Sequence, residues 1–177
     1  MFQLSSSREV YSNPWIKVRE DQVIKPGGSP GIFGVVTMRQ GSSVLAMEPS
    51  GSIYLVKEYK YAIDRFSYEL PSGGLEDGEP AIDAAKRELR EEAGIVANKW
   101  TDLGTVDPFT SAVLSPNHLF LAEDLEQVEA TPDDGEILER VMVPFAEAVR
   151  MVMDGEITHG ASCIAILKTA VLRSTAR

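Results

Sequence analysis

The sequence predicts an α+β or α/β sandwich with a β-rich N-terminal unit. Three observations predict it. The first 70 residues alternate as short strands broken by turn chemistry; residues 81–93 have the 3.6-residue period of an amphipathic helix; and further strands then lead into two helical segments near the C-terminus.

Residues 15–20 and parts of 32–38 alternate apolar and polar side chains, and residues 43–47 and 53–59 are β-rich. The breaks between them are S-N-P at 12–14, K-P-G-G-S-P-G at 25–31, R-Q-G at 39–41 and P-S-G at 49–51. The glycine and proline cluster at 26–31 is the best hairpin turn. A boundary near residue 40 separates an N-terminal antiparallel β-unit (1–39) from the main domain (40–177). Tyr68, Glu69 and Leu70 read as a strand running into the turn Pro71-Ser72-Gly73-Gly74. The helix starts at Pro80, a residue suited to a first turn, and Gly94 stops it. A Pro/Ser/Thr-rich loop is expected at 105–117, a strand at 118–122, an acidic loop at 123–136 and a strand at 137–143. A short helix at 145–153 and a final amphipathic one from 161 to about 173 complete the chain.

The 177 residues, 44% hydrophobic and 25% charged, suit one soluble domain with a small appendage. A formal charge of −10 argues against nucleic acid as a partner, because such binding depends on Lys and Arg neutralising phosphates. Small anionic substrates remain open if a metal ion screens the charge. The N-terminus lacks a basic start followed by an apolar stretch, and no apolar run reaches the ~18 residues of a membrane span, so neither a signal peptide nor a membrane partner is expected. The single Cys163 permits no internal disulfide and fits a cytoplasmic setting; its surroundings, A-S-C-I-A-I-L, read as helix packing.

Chemistry concentrates in residues 73–95, where seven acidic and three basic side chains share 23 positions. At 100° per residue, Ile82, Ala85, Leu89 and Ala93 form the packing stripe, and Asp83, Lys86 and Arg90 face the other way. Glu88 and Glu92 share the flank, one turn apart, with Glu91 slightly further round. Like charges at i, i+4 cost a helix about 0.2–0.5 kcal/mol per pair, and carboxylates near a helix C-terminus oppose the dipole. A bound Mg²⁺ reverses that sign, since it takes carboxylate oxygens while keeping waters and substrate phosphates as other ligands. Arg87 beside the cluster suits bidentate orientation of a carboxylate; its plainer role is a surface pair with Asp83 or Glu91. No phosphate-binding loop of the G-x-x-x-x-G-K-[ST] kind and no G-x-G-x-x-G occurs, which removes the main support for kinase and dinucleotide-binding readings.

Gly73, Glu79, Arg87, Glu88, Leu89, Glu91, Glu92, Gly94 and Ile95 reproduce every defining position of the box G-x5-E-x7-R-E-U-x-E-E-x-G-U, with U aliphatic. By these residues the chain resembles the Nudix hydrolase family. It is most similar there to the ADP-ribose pyrophosphatase subgroup, through V-Y-S-N-P-W-I-K-V, the E-L-P-S-G-G approach to the box, the ending D-G-E-I-T-H-G-A-S-C-I-A-I-L, and Pro108 beyond the box. The resemblance implies an α/β fold, an α/β/α sandwich around a mixed β-sheet with a β-rich N-terminal extension, and Mg²⁺-dependent cleavage (Mn²⁺ as a substitute) of ADP-ribose or a related nucleoside diphosphate sugar to AMP and a sugar phosphate. Alternatives are another nucleoside diphosphate derivative (a GDP-sugar, a dinucleoside polyphosphate or NADH) or a non-catalytic nucleotide-sensing module, an outcome that usually accompanies a degraded box.

The resemblance further implies Glu88, Glu92, Glu91 and the Ser72 carbonyl as metal ligands. Glu91 doubles as a water-orienting group, and Glu79 and Arg87 hold the box together. A general base is expected from the acid-rich stretch 123–139, with Glu136 the first choice over Asp133 and Asp134 because it abuts a strand. Arg65 and Glu69, flanking the strand before the box, are candidates for the diphosphate and the terminal sugar. Gly73 lets backbone approach substrate, and Trp15 and Phe109 are candidates to stack on a base, with Tyr59 beside them. His118 and His159 show no metal-ligand spacing and are not assigned to catalysis. The N-terminal unit is too small to bury its own core, so a homodimer is expected, packed across a two-fold as in the resembling pyrophosphatases.

Overall fold

The computed structural model describes residues 1–130 and 138–175, and they fall into two compact units. The first comprises residues 1–40 and 107–116. In it β1 (Gln3–Ser12), β2 (Ile16–Ile24), β3 (Pro30–Met38) and β9 (Val113–Leu114) form one sheet in the order β1-β2-β3-β9. The S-N-P break is an Asx turn in which Asn13 Oδ1 accepts from the Trp15 and Ile16 N–H groups at 2.9 and 2.8 Å. The glycine and proline cluster turns β2 into β3, closed by Lys25 N–H to Ser29 O at 2.8 Å. Every residue of β1 is exposed, and among the described residues of this unit only Val23 and Asp21 are buried. Asp21 is held by Ser7 Oγ at 2.6 Å and Arg19 Nε at 3.0 Å, which pull its carboxyl below the usual range.

The second unit comprises residues 41–106 and 117–177. Its mixed sheet has the order β7-β4-β10-β8, from β7 (Ser72–Gly74), β4 (Gly41–Ala46), β10 (Asn117–Gln127) and β8 (Ile95–Val106), with β4 and β10 parallel and the other pairs antiparallel. β5 (Ser52–Lys60), β6 (Arg65–Glu69) and β11 (Glu139–Pro144) form a separate antiparallel sheet in the order β11-β5-β6. Helices cover both faces of the central strands, which is why the end of β4 and the Met47 that follows it read as the continuous apolar run V-L-A-M. Val44 and Ala46 pack with Ala85, Leu89 and Ala93 of α1 (Ala81–Ala93), along with Ile95 and Phe120. Leu45 and Met47 face the other way, into a cluster with Ala148 and Met151 of α2 (Phe145–Met153) and Ala165 and Ile166 of α3 (Gly160–Thr175). Fully buried Leu89 contributes about 2 kcal/mol to this packing.

α1 begins after Pro80, its N-cap, and ends at Gly94, whose φ of 61° closes the last turn through its N–H to Arg90 O at 3.0 Å. A side chain at Gly94 would also meet Val128 O at 2.8 Å, so both conformation and space require glycine.

Three expectations need correction. β8 was not foreseen: its sequence I-V-A-N-K-W-T-D-L-G-T-V has no clean alternation, and its irregular register opposite Leu119 and Phe120 breaks the period. The acidic stretch after residue 122 is not loop throughout, because β10 runs on to Gln127. Lys99 to Glu123 at 2.6 Å and Asn98 to Glu126 at 3.2 Å satisfy its acids across the strand pair. The loop expected at 105–117 includes the short strand β9, which extends the N-terminal sheet parallel to β3. Among the described residues no helix is long and apolar enough to cross a membrane.

Candidate active site

The site grows from β6 through Leu70 and Pro71 into β7 and then α1. Backbone pairing anchors the approach: Pro71 O accepts from Val44 N–H at 2.9 Å, and β7 pairs antiparallel with β4. Ser72 Oγ lies 2.6 Å from Leu70 O, to which it donates, and 2.8 Å from Ser43 Oγ. Gly74 then leads into a turn in which Glu79 N–H reaches Glu76 O at 3.0 Å and Glu76 N–H reaches Glu79 Oε2 at 2.9 Å.

Arg87 closes this loop onto the helix. Its Nε and one terminal nitrogen grip both oxygens of Glu79 at 3.1 Å, and the latter also reaches Gly74 O at 3.0 Å. The other terminal nitrogen donates to Glu88 Oε1 at 2.7 Å and Glu91 Oε2 at 3.1 Å. One guanidinium thus ties three carboxylates and a backbone carbonyl together, a task for a planar fork. The pairing with Glu79, foremost, holds Arg87 more firmly in its charged form despite the opposing effect of burial, and Arg87 with the Glu76 N–H depresses the Glu79 carboxyl. The i, i+4 partner of Arg87 is Glu91, while Asp83 pairs with Lys86 at 3.3 Å on the exposed face.

Glu88 is buried, and its carboxylate lies directly beneath Gly73: a Cβ built on Gly73 would come within 2.5 Å of Glu88 Oε2 and closer still to Oε1 and Cδ. Glu92 Oε2 accepts the Ser72 N–H at 2.8 Å. The two flank carboxylates therefore meet the Ser72-Gly73 backbone, although 15 to 20 residues separate them in sequence. These donors fit a hard divalent cation: all are oxygens, and the glycine leaves room for the carboxylate where any side chain would fill it. Among the described residues no three acidic, histidine or cysteine side chains already stand around one point at ligating distance. An open groove of about 420 Å³ runs along the Arg87 side of the helix, lined by Lys86, Arg87, Arg90, Glu91 and Val96.

On the other flank, Glu69 Oε2 stands 3.7 Å from Lys60 Nζ and 3.5 Å from His159 Nδ1. Lys60 also pairs closely with Glu58 and feels the charge of Glu92. These carboxylates outweigh the effect of its burial and raise its pKa. Arg65 donates to Thr158 Oγ1 at 2.9 Å. Lys60 and His159 belong to this cluster, yet the sequence reading did not select them. Lys60 closes a strand of mixed charge, and His159 lies 90 residues from Glu69, so local spacing carries no signal for either.

Among the other sequence candidates, Trp15 is exposed at the Asn13 turn, and Phe109 is exposed just before β9, both within the N-terminal unit. Tyr59 packs edge-on against Phe66 at 5.7 Å between ring centres. His118 Nδ1 lies 3.1 Å from Thr105 Oγ1, across the β8–β10 pair. Asp133, Asp134 and Glu136 lie outside the described residues.

A carboxylate-rich helix locked to a glycine turn by one arginine is the arrangement the box implies. Residues 37–161 match the model of the NUDIX domain, and residues 3–36 match that of the nucleoside diphosphate sugar hydrolase N-terminal domain. The chain belongs to the Nudix family and is a hydrolase of that family. It is 33% identical over 172 residues to an ADP-ribose pyrophosphatase of Mycobacterium tuberculosis, covering 94% of this chain and 82% of the relative. A Bacillus subtilis protein, also named ADP-ribose pyrophosphatase, is 30% identical, covering 91% of this chain and 88% of its own length. A crystal structure of an ADP compounds hydrolase superimposes with a TM-score of 0.86 at 21% identity, covering 99% of this chain and 95% of the other, a likeness of fold.

Proposed function

We propose that this protein is a Mg²⁺-dependent diphosphatase that hydrolyses ADP-ribose, or a closely related nucleoside diphosphate sugar, to AMP and a sugar phosphate. The observation that carries the reading is the convergence of Glu88 and Glu92 on the Ser72-Gly73 backbone, with Arg87 bracing the first of them. The likeness to two ADP-ribose pyrophosphatases along nearly the whole chain supports the choice of substrate.

In this reading Glu88, Glu92, the Ser72 carbonyl and Glu91 hold Mg²⁺, or Mn²⁺ in its place. When bound, the ion neutralises the diphosphate and lowers the pKa of a ligated water. Glu91 orients the attacking water, and Arg87, saturated by Glu79, Glu88, Glu91 and Gly74, keeps the carboxylates in place. Glu136 takes the proton from water as the general base. Gly73 gives the diphosphate close access to backbone. Lys60, beside Glu92, adds positive charge on that side, while Arg65 and Glu69 serve the sugar phosphate end. Trp15 and Phe109 stack on the adenine.

The N-terminal antiparallel unit, residues 1–39 with an added strand from 107–116, buries almost nothing by itself. We assign it to dimerisation and substrate binding, with two copies packing across a two-fold. The half-buried thiol of Cys163 and the absence of any disulfide partner in the sequence favour the cytoplasm.

The test is release of AMP from ADP-ribose with Mg²⁺, run beside GDP-mannose, NADH and dinucleoside polyphosphates. Preferred turnover of ADP-ribose supports the assignment. Preferred turnover of another member of the panel moves the substrate, and tight nucleotide binding without turnover identifies a sensor instead.

A further inference from the structure

His159, the residue just before α3, links that helix to the approach to the box. Ser162 Oγ, fully buried, accepts the Leu70 N–H at 2.8 Å and lies 2.8 Å from His159 Nδ1. A buried hydroxyl needs an acceptor for its own proton, and the Nδ1 lone pair of a neutral imidazole is the acceptor in reach. The chain Leu70 N–H to Ser162 Oγ–H to His159 Nδ1 is complete when His159 carries its proton on Nε2. Leu70 is two residues before Ser72, so this relay holds the backbone that carries the Glu92 contact.

The same Nδ1 stands 3.5 Å from Glu69 Oε2, and Lys60 Nζ stands 3.7 Å from that oxygen on another side. With neutral His159, two lone pairs face each other there, and the Glu69 charge is left to Lys60. A proton on Nδ1 reverses both relations: it removes the acceptor of the Ser162 hydroxyl and sets a second cation competing for the Glu69 oxygen. The charged groups facing His159 are Glu69 on β6 and Lys60 on β5, with Glu58 and Glu92 acting one step further through Lys60. Arg65 is engaged by the adjacent Thr158, and Cys163 on α3 is turned to Ile157 O. Burial opposes the charged imidazole most strongly; Glu69 favours it and Lys60 adds to the opposition, so His159 is pushed below its ordinary value and is neutral at pH 7.

We infer that neutral His159 is a positioning residue for the hydrolase site: through Ser162 it orients the hydroxyl that holds Leu70 and the backbone leading to Ser72, and its protonation loosens that hold by leaving the Ser162 hydroxyl proton without its acceptor, and pulls Glu69 from Lys60. The part concerning turnover rests on the proposed diphosphatase function. The protein thus carries an acid shut-off outside its metal carboxylates, one helix away from the chemistry.

Two measurements on the full-length protein test this. Long-range ¹H–¹⁵N correlation at pH 7.5, with His118→Gln to assign the chain's two histidines, is expected to show His159 as the Nε2–H tautomer. An Nδ1–H tautomer or an imidazolium overturns the inference, and this readout is independent of any substrate. The second measurement compares His159→Asn and His159→Ala in steady-state hydrolysis of ADP-ribose between about pH 5 and 8, a window that spans the ordinary histidine pKa. Asparagine offers an oxygen acceptor to Ser162 but cannot titrate. It is expected to keep kcat within about threefold at pH 7.5 and to lose the acid-side fall seen in the wild type. Alanine strands the Ser162 hydroxyl and is expected to lower kcat about tenfold across the range with KM little changed. Equal behaviour of the two variants, or an acid limb unchanged in His159→Asn, overturns the positioning role; should His159→Ala fail to fold, the Asn profile alone decides. Absence of turnover in the wild type at every pH, with the Nε2–H tautomer present, would refute the diphosphatase reading while leaving the relay standing.

Discussion

Gly73→Ala isolates the central contact of the site. Gly73 is not among the residues with positive φ, so alanine suffers no backbone strain there and the perturbation is purely steric. The new methyl would sit 2.5 Å from Glu88 Oε2, and nearer the other two carboxylate atoms, where ordinary contact begins at 3.4 Å. The carboxylate must withdraw by more than about 1 Å to restore ordinary contact. Its retreat disturbs the 2.7 Å charge-assisted bond from Arg87, an interaction worth about 1.5–3 kcal/mol when lost outright. Because the obstacle is the end of a flexible side chain, part of that bond re-forms, and the stability loss should stay near 1 kcal/mol. Activity is less forgiving, since a misplacement of about 1 Å in a positioned group costs on the order of 100-fold in rate. Gly34→Ala, where a Cβ meets nothing within 4 Å, is the control. Thermal unfolding and steady-state ADP-ribose hydrolysis on both variants should therefore show nearly equal Tm values and a kcat drop confined to Gly73→Ala. A Gly73→Ala enzyme within twofold of wild-type kcat at limiting Mg²⁺ would show that Glu88 does not act from this position.

Glu92→Gln keeps an acceptor for the Ser72 N–H but removes the charge, so folding should be retained by circular dichroism while hydrolysis is lost; full activity at limiting metal would contradict the ligand assignment. Removing divalent cations with EDTA should abolish turnover, and Mg²⁺ should restore it and raise Tm in the wild type but much less in Glu92→Gln. The Glu79 carboxyl is depressed by Arg87 and the Glu76 N–H, so the stability it contributes is present above the ordinary glutamate pKa of about 4.3 and is lost as pH falls through its lower folded-state value. Glu79→Gln should accordingly lower Tm at pH 7 and narrow its gap from the wild type toward pH 3, as read by thermal melts across pH. Light scattering should give the mass of two chains, and a fully active protein with the mass of one would remove the dimer.

The helix that carries the chemistry was legible in the sequence because its signals are local. Pro80 and Gly94 mark its ends, the Ile82–Ala85–Leu89–Ala93 stripe marks its buried face, and the spacing from Gly73 to Glu92 marks the family. Residues 145–153 were legible as a helix for the same reason. β8 was not, since a strand paired on one side only and bent by an irregular register keeps no clean period-2 pattern, and the acids of β10 resembled a loop until Lys99 and Asn98 came opposite them.

Composition and spacing by themselves determined the class of chemistry: oxygen donors one turn apart on a helix, a glycine before them and an arginine among them. Tertiary structure alone decided what each of those groups touches. That Gly73 leaves its space to the Glu88 carboxylate, that Glu92 caps the Ser72 N–H, and that Lys60 and His159 both face one oxygen of Glu69 are contacts across 9 to 90 residues of chain. Periodicity reports the neighbours of a residue along its own helix or strand, whereas these meetings are set by how β5, β6, β7, α1 and α3 pack, and no local pattern encodes that.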